Sequence, residues 1–256
     1  MMTRKDAERL NILGCPIDSL SFEETIAMID DIIRHKVPRQ HVVINVSKLL
    51  QARRDTCLAE IIASCYIINP DGMPIVWASK ILGKPLKEKI SGIDLMNVLI
   101  KHSAEKGYRI YFLGAKDEVV KKVVDVCGKQ YPELQIAGYR NGYWEESEEK
   151  EIVAGIKVAV PDIIFVAISS PKKEIFLKRN LDDMQVPFVM GVGGSFDVLA
   201  GKTKRAPLWM QKSGLEWFYR LLQEPKRLWK RYLIGNSVFI CLVVKEFFRK
   251  RVCRRK

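Results

Sequence analysis

Four short stretches carry the residue types best suited to chemistry. Asn69-Pro70-Asp71-Gly72 follows a buried apolar run, which puts Asp71 just past the end of a strand. A carboxylate there can act as a general base if burial lifts its pKa from about 3.9 toward neutrality. The ordinary alternative is an Asp that stabilises its own turn or caps the next helix. Leu113-Gly114-Ala115-Lys116 and Gly191-Val192-Gly193-Gly194-Ser195 read as junctions of strand, glycine turn and helix start. Backbone N–H groups at such junctions can approach a phosphate. Neither spells G-x-G-x-x-G or a Walker loop, and plain tight turns of an α/β domain look the same. In Ser169-Ser170-Pro171-Lys172-Lys173-Glu174, Lys172 and Lys173 can reach an anion or simply open a solvated helix.

A row of cations follows further on: Arg205, Arg220, Lys226, Arg227, Lys230 and Arg231, with Trp217, Trp229 and Tyr232 among them. Arg220, Arg227 and Arg231 are spaced by seven and four, so a continuous helix would bring them to one face, although Pro225 favours a break. Arginines interleaved with aromatic rings can clamp a pyrophosphate at a membrane surface; an ordinary snorkelling basic face is the alternative. The chain has no Asp-x-Asp pair, and His35, His41 and His102 show no ligand spacing. Neither a metal nor a cofactor is expected.

The elements that must position these groups alternate. Ser21-Phe22-Glu23-Glu24 predicts a capping box opening a helix to about Arg34. Strands are expected at 41–45, 65–68, 109–114, 135–139, 162–167 and 187–190. Helices are expected at 47–55, 73–82, 92–106, 118–131, 146–158 and 172–182. Nearly continuous apolar strands alternating with amphipathic helices predict an α/β fold, a Rossmann-like, mostly parallel sheet with helices on both faces. Ligands of such sheets bind beyond the strand C-termini, where the Asp and Gly turns fall. Residues 1–200 are read as this catalytic domain and 201–256 as a basic helical appendage.

The length of 256 residues allows one large domain with an appendage. Six scattered cysteines without a C-x-x-C pair argue against a zinc site or disulfide framework and for a reducing compartment. Met1-Met2-Thr3-Arg4-Lys5-Asp6 has no apolar stretch, so no secretory leader is expected. From Gly214 to Lys256 there are 12 Lys and Arg against 3 Asp and Glu, a surplus of 9 within a whole-chain surplus of 13. This uneven charge excludes a uniformly basic coat for nucleic acid and asks for an anionic partner near the C-terminus. The apolar run Tyr232–Val244, 13 residues between basic ends, is short of the roughly 20 needed to span a bilayer. It suits a helix lying in the membrane interface, or one packed on its own core.

Taken in order, Asn69-Pro70-Asp71-Gly72, Gly92-Ile93-Asp94-Leu95-Met96, Gly191-Val192-Gly193-Gly194-Ser195-Phe196-Asp197, Ala200-Gly201, Arg205-Ala206-Pro207, Gly214-Leu215-Glu216-Trp217-Phe218-Tyr219-Arg220-Leu221 and Glu224-Pro225-Lys226-Arg227 resemble the WecG/TagA/CpsF family of bacterial glycosyltransferases. The resemblance covers most of the chain. It implies a Rossmann-like domain whose appendage completes the active site at the inner face of the cell membrane, with the protein otherwise cytoplasmic. It further implies a metal-independent, inverting transfer of a sugar, often N-acetylmannosamine or its uronic acid, from UDP to a polyprenyl-pyrophosphate-linked sugar in teichoic acid, common antigen or capsule synthesis. The family's aspartate base falls on Asp71, and its appendage arginines on Arg220 and Arg227, with Lys230 or Arg231 as a third. Asn45 is expected to orient the sugar, and Gly114, Gly191, Gly193, Gly194 and Arg205 to line the substrate site.

At three positions the chain departs from the family: Val43 stands for a Thr, Lys89 for an Arg and Lys173 for a Gln. All three bear on the donor sugar; Lys173 would suit an acidic or differently hydroxylated one. The rival readings are a transferase of another hexose, a non-catalytic membrane-bound partner subunit, and a nucleic-acid binder using the tail, which leaves Pro-Asp-Gly unexplained. Nucleic acid is therefore not expected as a partner, and self-association is open. Removing the chain from about Gly214 is expected to abolish activity and leave a folded, more soluble domain.

Overall fold

The structure is a computed structural model that describes residues 7–253. Residues 1–6, on which the leader reading falls, and 254–256, the end of the basic tail, lie outside the described residues. The chain runs β1 (Arg9–Ile12), β2 (Cys15–Asp18), α1 (Phe22–His35), β3 (Arg39–Ile44), α2 (Val46–Ala52), α3 (Thr56–Ser64), β4 (Ile67–Pro70), α4 (Met73–Ile81), α5 (Gly92–Lys106), β5 (Arg109–Gly114), α6 (Asp117–Gln130) and β6 (Gln135–Arg140). It continues with a short 3₁₀ turn into α7 (Glu149–Ala159), then β7 (Ile163–Ala167), α8 (Lys172–Met184), β8 (Phe188–Gly191), α9 (Ser195–Leu199), α10 (Leu208–Lys212), α11 (Glu216–Gln223), α12 (Pro225–Trp229), a π-helical turn (Lys230–Ile234) and α13 (Gly235–Cys253).

Strands β3 to β8 form one parallel sheet in the order β4-β3-β8-β7-β5-β6. Its central strands are apolar throughout because both faces are covered; all five residues of β7 are buried. On one face α1, α5 and α6 bring Met28, Leu99 and Val120 onto Ile110, Phe112, Phe165 and Phe188. On the other, α7 and α8 bring Ile156 and Leu177 onto Leu113, Ile164 and Val166. The helix after β5 therefore lies on one face and the helix after β7 on the other. Between these neighbouring strands the chain leaves in opposite directions, which opens a crevice at their carboxyl ends.

The capping box is present: Ser21 Oγ accepts from Glu24 N at 3.1 Å, and Ser21 N donates to Glu24 Oε2 at 2.7 Å. The Rossmann-like arrangement and the element order match the expectation, with three differences, and at two further points the structure takes one of the alternatives the sequence offered. The β1–β2 hairpin has no counterpart in the sequence reading. Asp18 at its end is fully buried, pairs with Arg9 at 2.7 Å, and accepts from Ile68 N at 2.8 Å. The helix expected over 47–55 stops at Ala52, and Asp55 caps the separate α3 by accepting from Leu58 N at 3.1 Å. Asn69 and Pro70 belong to β4 rather than to the turn; as an edge strand, β4 tolerates a proline. Arg220 and Arg227 do not share one helix, because the chain breaks at Glu224 (φ −133°, ψ 61°). Finally, α13 packs on the protein itself: Phe239 and Val243 join Ile17, Val42, Leu49, Leu58 and Ile68 in one buried cluster. Its other side, with Ile240, Val244 and Phe248, is exposed. Among the described residues, no helix is long and apolar enough to cross a membrane.

Candidate active site

A cleft of about 1500 Å³ lies along the carboxyl edge of the sheet and is roofed by residues from α11, α12 and the π turn. Asp71 stands in it, one residue past β4. Its N–H donates to Ile44 O at 2.8 Å, and Gly72 turns the chain with φ +108°, a conformation L side chains rarely adopt. Burial pushes the Asp71 carboxyl above the usual carboxylate range, while Arg220, Lys89 and Lys48 pull it back and Glu216 adds to the push. Such a group holds a proton better than an exposed aspartate, as general-base work requires.

The strand that delivers Asp71 is pinned from below. His41 Nε2 donates to Asn69 Oδ1 at 2.8 Å, Asn69 Nδ2 donates to Thr25 Oγ1 at 3.3 Å, and Thr25 donates to Ser21 O at 2.9 Å. His41 and Asn69 are buried. Burial pushes the imidazole down to about 4, so His41 is neutral at neutral pH and serves as a fixed donor. Sequence reasoning assigned no histidine a role.

Ten of the twelve expected site residues line this cleft: Asp71, Asn45, Lys89, Lys173, Gly191, Gly193, Gly194, Arg220, Arg227 and Arg231. Asn45 is also the cap of α2, its Oδ1 accepting from Lys48 N at 3.0 Å, which leaves its amide N–H groups as the donors available to a ligand. Arg220 pairs with Glu216 at 3.0 Å, Arg227 with Glu224, and the Arg231 guanidinium lies 5.7 Å from the Tyr232 ring centre. Gly191 leaves room for the Lys173 stem, since a Cβ there would meet Lys173 Cε at 2.7 Å.

Gly114 and Arg205 lie outside the lining. A Cβ on Gly114 would stand 2.7 Å from the Ala167 carbonyl carbon; the missing side chain lets β5 and β7 meet closely under the crevice. Arg205 is forked onto Asp94, Nη1 to Oδ1 at 2.6 Å and Nη2 to Oδ2 at 2.8 Å, and Ser91 Oγ donates to the same carboxylate. Burial raises the Asp94 carboxyl, but the Arg205 fork and the Ser91 hydroxyl hold it below the usual range. Arg205 thereby ties the segment leading to α10 onto the start of α5. Arg205→Gln is expected to lower stability by about 1–2 kcal/mol, after allowance for the partial exposure of the pair, seen as a lower denaturant midpoint.

Lys48, Glu174 and Glu216 were not singled out by sequence reasoning as site residues, and Trp217 only as one of the rings among the arginines. Lys48 Nζ reaches Glu174 Oε1 at 2.7 Å across two helices, a contact that no local pattern announces. Glu216 and Trp217 lie inside a motif already singled out, so their position beside Arg220 was the available signal.

Similarity to known proteins agrees with this geometry. The family model described as "Glycosyl transferase WecG/TagA/CpsF family" matches residues 10–252. A protein of Bacillus subtilis (strain 168), named N-acetylglucosaminyldiphosphoundecaprenol N-acetyl-beta-D-mannosaminyltransferase, is 38% identical over 209 residues, covering 81% of this chain and 80% of its own length. Proteins of the same name from Bacillus spizizenii and Staphylococcus aureus (strain MW2) are 37% and 30% identical, over 73% and 88% of this chain and 71% and 89% of their own lengths. With a parallel sheet, a carboxylate and a set of cations along one cleft, and a match spanning nearly all of its length, the chain belongs to the WecG/TagA/CpsF family and is a glycosyltransferase.

Proposed function

We propose that the protein transfers an N-acetylmannosamine-like sugar from a UDP-sugar to a sugar carried on undecaprenyl diphosphate, with inversion and without a divalent ion. The observation that carries this reading is the half-buried Asp71 carboxyl, its pKa raised by burial, in a cleft lined also by Lys48, Lys89, Lys173 and the roof arginines. Asp71 takes the proton of the acceptor hydroxyl as that oxygen attacks the anomeric carbon. The bond from that carbon to the diphosphate breaks, and UDP leaves from the opposite side with the electron pair. The backbone at Gly191–Gly194 and the roof arginines offset the charge of the leaving group. Asn45 and Lys89 face the same end of the cleft as Asp71 and are assigned to the sugar.

The acceptor's lipid implies a membrane surface. Leu208, Trp209, Leu222, Ile240 and Phe248 are exposed, with Lys and Arg among them, which suits a peripheral seat on an anionic inner leaflet. The names of the relatives supply the acceptor class. The test is a panel of UDP-sugars against short-chain polyprenyl-diphosphoryl-N-acetylglucosamine, scored by product mass. UDP-N-acetylmannosamine is expected to yield a product one N-acetylhexosamine heavier, with a rate unchanged by EDTA. No product from any donor, or a rate abolished by EDTA and restored by Mg²⁺, overturns the reading.

A further inference from the structure

Two lysines converge on one carboxylate in the floor of the cleft. Lys48 Nζ on α2 is 2.7 Å from Glu174 Oε1, and Lys173 Nζ on α8 is 3.3 Å from the same oxygen. All three side chains are at least nine-tenths buried. Among the described residues, Glu174 is the one carboxylate in contact with either ammonium, and Asp71, which also feels Lys48, is shared with Arg220 and Lys89, so positive charge is in excess where water is scarce. The other charged group acting on Lys173 is Arg231 of the roof, also a cation. An uncompensated buried ammonium is costly, and a protein keeps one where a partner arrives from outside.

The lysine is built into place. Its stem lies against Gly191, and its ammonium is beside Gly193, at 3.8 Å from where a Cβ would sit. Both glycines line the cleft, as do Lys48 and Lys173. In the sheet, β8 stands between β3, next to the Asp71 strand, and β7, at the crevice. A ligand laid from the crevice toward Asp71 passes over this cluster. Burial, then Lys48, pushes Lys173 down to about 8 against the pull of Glu174, which fits an ammonium awaiting a counter-charge.

We propose that Lys173 and Lys48, sharing Glu174, form an oxyanion site in the cleft floor that receives a negatively charged group of the donor, a phosphate of its diphosphate or a carboxylate on its sugar. The site rests on the function proposed above only for the source of the anion, and binding without turnover tests it. An anion binds the ammonium form of Lys173, so affinity falls as pH rises through about 8.

Calorimetry on the full-length protein at pH 7 and pH 9 would use UDP, UDP-N-acetylhexosamine and a UDP-hexuronic acid. The wild type is expected to lose about 10-fold in affinity across that interval. Lys173→Gln is expected to bind about 10-fold more weakly at pH 7 and to lose the pH dependence, while Lys173→Arg keeps its affinity at pH 9. An equal loss for all three ligands in Lys173→Gln identifies the diphosphate; a loss confined to the uronic acid identifies the sugar. If Lys173→Gln binds all three as the wild type does, with the same pH dependence, the site is refuted. Should Lys173→Gln melt early, Lys173→Arg decides: a retained loss at pH 9 overturns the proposal. Anion binding that behaves as expected in a protein without transferase activity sinks the function reading and leaves this one standing.

Discussion

Asp71→Asn is expected to lower kcat by about 10³-fold while the protein stays folded. The amide keeps the shape but cannot take the acceptor proton. Its effect on stability has the opposite sign. Burial raises the Asp71 pKa, so the folded state disfavours the ionised form, and at pH 7 the charge costs stability that an asparagine does not. The variant should therefore melt at or above the wild-type temperature at pH 7, with the difference vanishing below about pH 3.8, where the carboxyl is protonated in both states. In the wild type, kcat/KM should fall as pH drops through the raised pKa, and the residual activity of the variant should lack that limb. Wild-type turnover in a folded Asp71→Asn protein would remove Asp71 as base.

Deletion of the chain from Gly214 is expected to abolish measurable transfer, because Arg220, Arg227 and Arg231 leave the roof of the cleft together. It should also destabilise what remains, which differs from the more soluble domain that composition alone predicts. Phe239 and Val243 are buried in one cluster with residues of β2, β3, β4, α2, α3 and α4, and α13 lies against α2 and α4. Exposing their partners, at about 1.5–3 kcal/mol for each side chain withdrawn, costs roughly 3–6 kcal/mol. Two finer variants separate the effects. Arg220→Ala with Arg227→Ala keeps α13 and should cut kcat/KM by about 10²-fold or more with little change in melting. Ile240→Asp with Phe248→Asp keeps the roof and the core contacts, and should weaken sedimentation with anionic vesicles while leaving turnover of a water-soluble acceptor intact. A full-rate enzyme lacking residues 214–256 would dispose of the roof.

What the sequence showed of this site followed from periodicity and turn chemistry. Strands such as Ile163–Ala167 are unbroken apolar runs bounded by polar residues, and α5 begins at a serine cap and ends at Gly107, so their limits are legible. Asp71 and the Gly191 turn were legible for the same reason: each ends such a run. Contacts between distant segments were not. Lys48 on Glu174, Arg205 on Asp94 and His41 on Asn69 are side-chain meetings made by tertiary packing, with no local period behind them. The β1–β2 hairpin escaped because four-residue strands joined at Leu13-Gly14 are too short for alternation to register. The face of α13 that docks was hidden by a run apolar on all sides, from which no single inward stripe can be read.

That hairpin has a practical consequence. Through Arg9 and Asp18 it grips the amide of Ile68, three positions ahead of the proposed base. A start site chosen at α1, or a protease nick near Gly14, would look harmless on a domain map. It would unmoor the edge strand, and the preparation would lose turnover before it lost its circular dichroism.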